Sequence, residues 1–305
     1  MKQLLDIRGI ITVLNTPFTS DNRIDIPSLR KNVNMAIDAG VAGFLVPAMA
    51  AEVSKLNVKE REQIVGAVLE EATGRTPVIG GASARDETER KHIAKGLIDM
   101  GCDGILVNLP HVESMAGNQA YENSVKSIAA LDPGFLMLQD WAPSGFGLPL
   151  SLIEHLFEEI DAFRALKVEV VPSGYKYSRV LDVTAGRLHV SGGWAVMQLI
   201  ESLDRGVHAF MPTGMHAIYT AIYNRYQEGD RTGAESLFNK LLPVLAFSNQ
   251  HLDISVHFFK RLLHGQGIYS TPRVRKPILE FDEVHEMLAS KHVKLVKELT
   301  RQLDG

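Results

Sequence analysis

Short apolar runs alternating with amphipathic stretches set the rhythm of this chain, and one phrase recurs. It reads DAGVAGFLV at 38–46, DMGCDGILV at 99–107 and DRGVHAFMP at 204–212. Each copy has the form of a helix end, a turn and a strand. The glycine in third place can adopt the left-handed conformation that closes a helix, and the apolar residues that follow suit a parallel strand buried on both faces. Further apolar runs lie at GIITVL (9–14), PVIGG (77–81), FLMLQ (135–139), FRALKV (163–168) and LHVSGG (188–193). Eight strands are therefore predicted.

The stretches between them carry helical periodicity. IPSLRKNVNMAIDAG spaces Leu29, Val33 and Ile37 by four and has Pro27 near its first turn. NVKEREQIVGAVLEEA starts from Asn57 as an N-cap and sets Ile64 and Val68 apart from its acidic residues. Strands alternating with helices every 25 to 33 residues or so imply βαβ units, and eight such units close into a (β/α)8 barrel, an α/β fold. An open doubly wound sheet is the alternative. The count of eight argues against it, as does the lack of a GxGxxG turn after the first strand. Beyond the eighth strand the pattern is wholly helical, broken only by GIYSTPRVRKP. The expected division is a barrel over 1–215 and a helical region over 216–305 that packs on the barrel or on another subunit.

Composition narrows the function classes. The 305 residues are 45% hydrophobic and 22% charged, with a formal net charge of -4. That balance offers no footprint for a polyanion, so no nucleic-acid partner is expected, and the basic cluster PRVRKP at 272–277 reads as a solvated loop. A single cysteine, Cys102, cannot form an internal disulfide. The start MKQLLDIRGI has Asp6 and Arg8 where a signal peptide needs an unbroken apolar segment, and the uncharged run AGVAGFLVPAMAA at 39–51 is too short to span a bilayer. A cytoplasmic protein without membrane partners is expected.

The candidate chemistry centres on Lys167. In FRALKVEV, alternation turns Leu166 and Val168 to one face and Lys167 and Glu169 to the other. The pair falls near the C-terminal end of the sixth strand, the end at which such barrels hold their active sites. An amine there can condense with a ketone, and the resulting imine is an electron sink for making or breaking a neighbouring bond. The plainer alternative is an ion pair that plugs the barrel. GGASARDE at 80–87 and SGGWA at 191–195 could present amides to an anion or serve as tight turns. Tyr175 and Tyr177 follow the lysine strand and fit a pocket or the barrel wall. His208, His216, His251 and His257 show no ligand spacing. No metal and no cofactor are expected.

These residues resemble the superfamily of dihydrodipicolinate synthase and N-acetylneuraminate lyase, the Schiff-base aldolases and dehydratases. The likeness runs through Thr16-Pro17-Phe18 after the first strand and through Glu52 and Leu56-Asn57 after the second. It continues with Pro110 after the fourth, Pro143 after the fifth, Lys167 on the sixth and Ser191-Gly192 after the seventh. The resemblance implies that Lys167 forms the imine and that Thr16, Ala50, Ala51, Glu52, Ser191, Gly192 and Thr213 bind a 2-oxo acid. It also implies a homo-oligomer, a dimer or a dimer of dimers.

Departures from the family pattern sharpen this. Where members carry Gly-Thr-Thr-Gly-Glu, this chain has Ala48-Met49-Ala50-Ala51-Glu52, so carboxylate binding falls to backbone amides and to Thr16 or Thr213. Asp140 stands where the family has its proton-shuttling tyrosine, His111-Val112 where a tyrosine pair is common, and Gly145 where the synthases have an arginine. With Asp140 and Glu169 both expected beside Lys167, one carboxylate could remove a proton and the other return it. The likeness then points to the branch acting on 2-keto-3-deoxy sugar acids, as dehydratase or aldolase. A synthase-like condensation enzyme and a catalytically altered metabolite-binding paralogue remain the alternatives.

Overall fold

The computed structural model describes residues 3–109, 117–142 and 144–303. The strands are β1 Gly9–Val13, β2 Gly43–Val46, β3 Val78–Gly81, β4 Gly104–Val107, β5 Leu136–Ala142, β6 Phe163–Val170, β7 His189–Gly192 and β8 Ala209–Phe210. They follow one another in sequence order around a closed barrel. The barrel expected from the recurring phrase is therefore what forms, and Gly40, Gly101 and Gly206 take the positive φ that closes each preceding helix.

By contacts the chain groups into two compact units, Met1–Arg8 with Val78–Met211 and Gly9–Pro77 with Pro212–Gly305. The first contains β3 to β8 with helices α3 Glu87–Met100, α4 Gly117–Ala129, α5 Leu150–Glu159, α6 Ser173–Val183 and α7 Leu199–Asp204. Its longest strands, β5 and β6, run past the apolar stretches that signal them, to Ala142 and Val170. They pair in parallel, with Gln139 level with Lys167, Asp140 with Val168 and Trp141 with Glu169. On the other side of β6, Lys167 is level with Ser191 and Val168 with Gly192. Neighbours at one level of a sheet share a face, and this register decides which side chains meet.

The second unit contains β1, β2, α1 Ile26–Asp38 and α2 Val58–Ala72. It also holds α8 His216–Gln227, α9 Arg231–Ser248, α10 Leu252–Gly265 and α11 Glu283–Arg301. Asn57 caps α2 through a reciprocal box with Glu60. A buried polar chain ties β1 to the helices. Thr12 Oγ1 lies 3.1 Å from His216 Nδ1, and His216 Nε2 lies 3.1 Å from Asn32 Oδ1. Asn32 Nδ2 donates to the Tyr269 hydroxyl at 3.2 Å, which donates to the Asn15 carbonyl at 3.0 Å. Since Asn32 Oδ1 can only accept, the His216 proton sits on Nε2 and Thr12 donates to Nδ1. Burial pushes the His216 imidazole down to about 4, so it is neutral and can play both parts. Among the described residues no helix is long and apolar enough to cross a membrane.

Candidate active site

On β6 the alternation read from the sequence holds. Lys167 is 5% exposed, and its Nζ lies 3.2 Å from Glu169 Oε1. The second glutamate oxygen is taken by Gln139, whose Nε2 donates to Oε2 from the level of Lys167 on β5. Glu169 is thus held by an amide on one oxygen and faces the amine with the other. Its position also depends on Gly193, where a Cβ would stand 2.0 Å from Glu169 Oε1. No side chain fits there while the glutamate keeps its place.

Asp140 is not part of this group, contrary to the sequence reading. One residue along from Gln139, it belongs to the opposite face of β5, level with Val168. Its Oδ2 lies 3.3 Å from Nζ of Lys176 on α6, and its Oδ1 accepts the Leu148 N–H at 2.9 Å. Lys176 is fully buried, donates to the carbonyls of Phe146 (2.9 Å) and Leu148, and stands 4.4 Å from the Phe146 ring centre. Burial holds its ammonium below the usual lysine range, with Asp140 pulling the other way. Gly147, at φ 72°, passes so close that a Cβ would lie 2.2 Å from Asp140 Oδ1. Asp140 and Lys176 therefore clamp the turn after β5. The proton-shuttle role expected for Asp140 gives way to an anchoring one.

Ser191 is level with Lys167 on β7, and its hydroxyl lies 3.5 Å from the Leu166 carbonyl. Gly192 faces the other way, where a Cβ would meet the Tyr177 hydroxyl at 2.5 Å. Tyr177 is thus a buried wall residue of α6, and Tyr175 is exposed beside Phe146, with ring centres 5.8 Å apart.

In the second unit Thr16 Oγ1 donates to the Ala51 carbonyl at 2.8 Å, which commits its proton within the protein. Residues 49–51 form one turn of 3₁₀ helix whose internal bonds engage the N–H groups of Ala51 and Glu52. The Met49 and Ala50 N–H groups, first in the turn, have no place in that ladder. Thr213 is buried after β8, ahead of Gly214.

Glu52 departs from its expected substrate-binding role. One carboxylate oxygen takes the buried Lys260 ammonium, and the other takes Lys55 Nζ at 3.1 Å and the Arg275 N–H at 2.9 Å. Burial pulls Lys260 down to about 8 against the attraction of Glu52. Arg275, in the cluster expected to be a solvated loop, donates twice to Glu60 and lies 4.3 Å from the Phe18 ring centre. Lys260 lies 4.1 Å from the centre of the same ring. Glu52 is the hub of an anchor that ties the turn after β2 to the C-terminal segment. Pro110, His111, Val112 and Pro143 lie outside the described residues. Among the described residues no group of three or more His, Cys, Asp or Glu side chains is arranged to hold a metal ion.

Fold and side chains together define a (β/α)8-barrel protein with an amine and a carboxylate paired on its sixth strand. The chain belongs to the dihydrodipicolinate synthetase family, whose model matches residues 6–296 and whose members are class I lyases and aldolases. It is 32% identical over 291 residues to the 4-hydroxy-tetrahydrodipicolinate synthase of Salinibacter ruber, covering 90% of this chain and 91% of that one. A DapA-like lyase of Pyrobaculum arsenaticum, itself uncharacterised, is 25% identical over 247 residues, 80% of this chain and 81% of the relative. Among solved structures, the 4-hydroxy-tetrahydrodipicolinate synthase of Methylacidiphilum fumariolicum superposes with a TM-score of 0.86 at 18% identity, covering 98% of this chain and 99% of that one. YagE of E. coli, solved in complex with pyruvate, gives 0.85 at 19% identity, covering 97% and 99%. At such identities the likeness speaks to the fold.

Proposed function

We propose that this protein is a Schiff-base-forming lyase of 2-oxo acids, acting as a dehydratase or aldolase on a 2-keto-3-deoxy sugar acid. The observation that carries the reading is the buried pair of Lys167 with Glu169, braced by Gln139. What sets this pair apart is its place, near the C-terminal end of a barrel strand, the end at which such barrels hold their active sites. The Lys167 amine adds to the C2 carbonyl, and loss of water gives the imine. Glu169 is the carboxylate within reach of the amine to move protons, and removal of a C3 proton yields the enamine. In a dehydratase the C4 hydroxyl then leaves, taking up a proton as water. In an aldolase the C4 hydroxyl is deprotonated and the C3–C4 bond breaks instead.

A dimer or dimer of dimers and a cytoplasmic setting fit this reading. The condensation of a 2-oxo acid with an aldehyde is the second reading, favoured by the Salinibacter relative. Gly145 weighs against it, since no cationic side chain stands there for a second carboxylate. The test is product analysis with purified protein. Release of water or of an aldehyde from a 2-keto-3-deoxy sugar acid, lost in Lys167→Ala, supports the lyase. Efficient condensation of pyruvate with aspartate semialdehyde, with no turnover of sugar acids, would overturn it.

A further inference from the structure

Within the first unit, one face of four adjacent strands changes character at the level of Lys167. The row beneath is Gly81, Leu106, Met137 and Ala165 on β3 to β6, all buried and none with a polar side chain. Two positions on, where alternation returns to the same face, stand Ser83, Asn108, Gln139 and Lys167. Val107 is level with Leu138, so Asn108 comes level with Gln139, and Gln139 is level with Lys167. Past the rung from the Ala82 N–H to the Leu106 carbonyl, the Asn108 N–H donates to Ser83 Oγ at 3.3 Å, which keeps those two residues side by side. The face is fixed at both ends of the row. A Cβ on Gly80 would meet Leu97 of α3, so Gly80 looks to the helices, and Gly81 and Ser83 look away from them and toward it in turn at odd steps, which sets Ser83 on the face opposite to Gly80. At the other end, Gln139 reaches Glu169 beside Lys167.

Resting on the lyase reading above, we infer that Asn108, supported by Ser83, is a specificity residue that binds the distal hydroxyls of a polyhydroxylated 2-oxo acid held at Lys167. Both residues are half-buried and so within reach of a ligand, whereas the row beneath them is closed. Among the described residues nothing engages the Asn108 side-chain amide, and Ser83 Oγ, which accepts from the Asn108 N–H, still has its proton to give. An amide donates through Nδ2 and accepts through Oδ1, and a hydroxyl, itself both donor and acceptor, matches either atom. Position selects which hydroxyls. Asn108 lies two strands from Lys167, roughly 10 Å from chain to chain at the usual strand spacing. With C2 joined to the lysine amine, pyruvate ends at the next carbon. A six-carbon sugar acid has hydroxyls on C4, C5 and C6 with which to cross that distance past Gln139. A site that bonds a substrate hydroxyl discriminates against the analogue lacking it, because its polar groups are then left unpaired.

The experiment compares Asn108→Ala with the unchanged protein. Borohydride-trapped adduct at Lys167 is followed against ligand concentration with two ligands, pyruvate and a six-carbon 2-keto-3-deoxy sugar acid. The expected result is a loss of trapping efficiency for the sugar acid about tenfold or more greater than for pyruvate. Asn108→Asp, which keeps an acceptor and loses the donor, should fall between the two proteins. Ser83→Ala should shift the ratio in the same direction and serves if the Asn108 variants do not fold. Equal losses with both ligands, no loss with either, or an unchanged protein that traps pyruvate but no sugar acid would overturn the assignment. Failure of the unchanged protein to form a Lys167 adduct with any 2-oxo acid would instead bring down the lyase reading, and this inference with it.

Discussion

Lys176→Met separates an anchoring Asp140 from a catalytic one. The substitution keeps an apolar chain of similar length and removes only the ammonium. It deletes the 3.3 Å pair with Asp140, the bonds to the Phe146 and Leu148 carbonyls, and the cation over the Phe146 ring. Asp140, 2% exposed, keeps its bond from the Leu148 N–H but loses its counter-charge. Breaking a buried pair from one side costs about 3–5 kcal/mol. Urea unfolding should therefore show Lys176→Met and Asp140→Leu each destabilised by about that amount, with the double variant no worse than the poorer single. The cycle should return a coupling of at least about 3 kcal/mol, the smaller of the two single costs. Asp140→Asn should likewise lose stability, while Lys167 adduct formation in the folded fraction falls far less than the factor of about 10² to 10⁴ that follows loss of a general acid or base. An Asp140→Asn variant of unchanged stability with turnover down by that factor would refute the clamp and restore the shuttle.

Two further outcomes follow from the same geometry. His216 is neutral in the fold with its pKa pushed down to about 4, while the unfolded chain titrates near 6.5. The unfolded state thus binds the extra proton first, so this contribution is whole above about pH 6.5 and is lost as pH falls toward 4. Its size is roughly 3 kcal/mol, and His216→Gln should flatten that part of the stability curve measured by urea unfolding from pH 7 to 4. Gly193→Ala places a methyl 2.0 Å from Glu169 Oε1. It should cut turnover by about tenfold or more through displacement of the carboxylate while the thermal midpoint moves little. An unchanged turnover would mean that Glu169 does not position or serve the amine.

How much of this was legible in the sequence depends on whether the determining contacts were local. The recurring DxG phrase with its apolar run carried the barrel, because helix closure and strand burial are both decided within a few residues. Lys167 and Glu169 were legible for the same reason, since side-chain period along one strand fixes their common face. Asp140 was misread by one residue. Strand β5 runs on to Ala142, and its register sets Gln139, not Asp140, beside Lys167. Counting parity back from Trp141 and Met137 would have found Gln139. The partners that claim Asp140 and Glu52 left no such trace. Lys176 lies on a helix 36 positions after Asp140, and Lys260 is 208 residues from Glu52.

The central claim is that the Lys167 amine forms the imine, and reductive trapping followed by mass mapping of the peptides tests it most directly. With a 2-oxo acid and borohydride, the adduct should map to the peptide containing Lys167 alone, and Lys167→Ala should give none while remaining folded. Lys176 and Lys260, fully buried and engaged by Asp140 and Glu52, should stay unmodified. An adduct on either of those lysines, or none with any 2-oxo acid on a folded and active protein, would contradict the account.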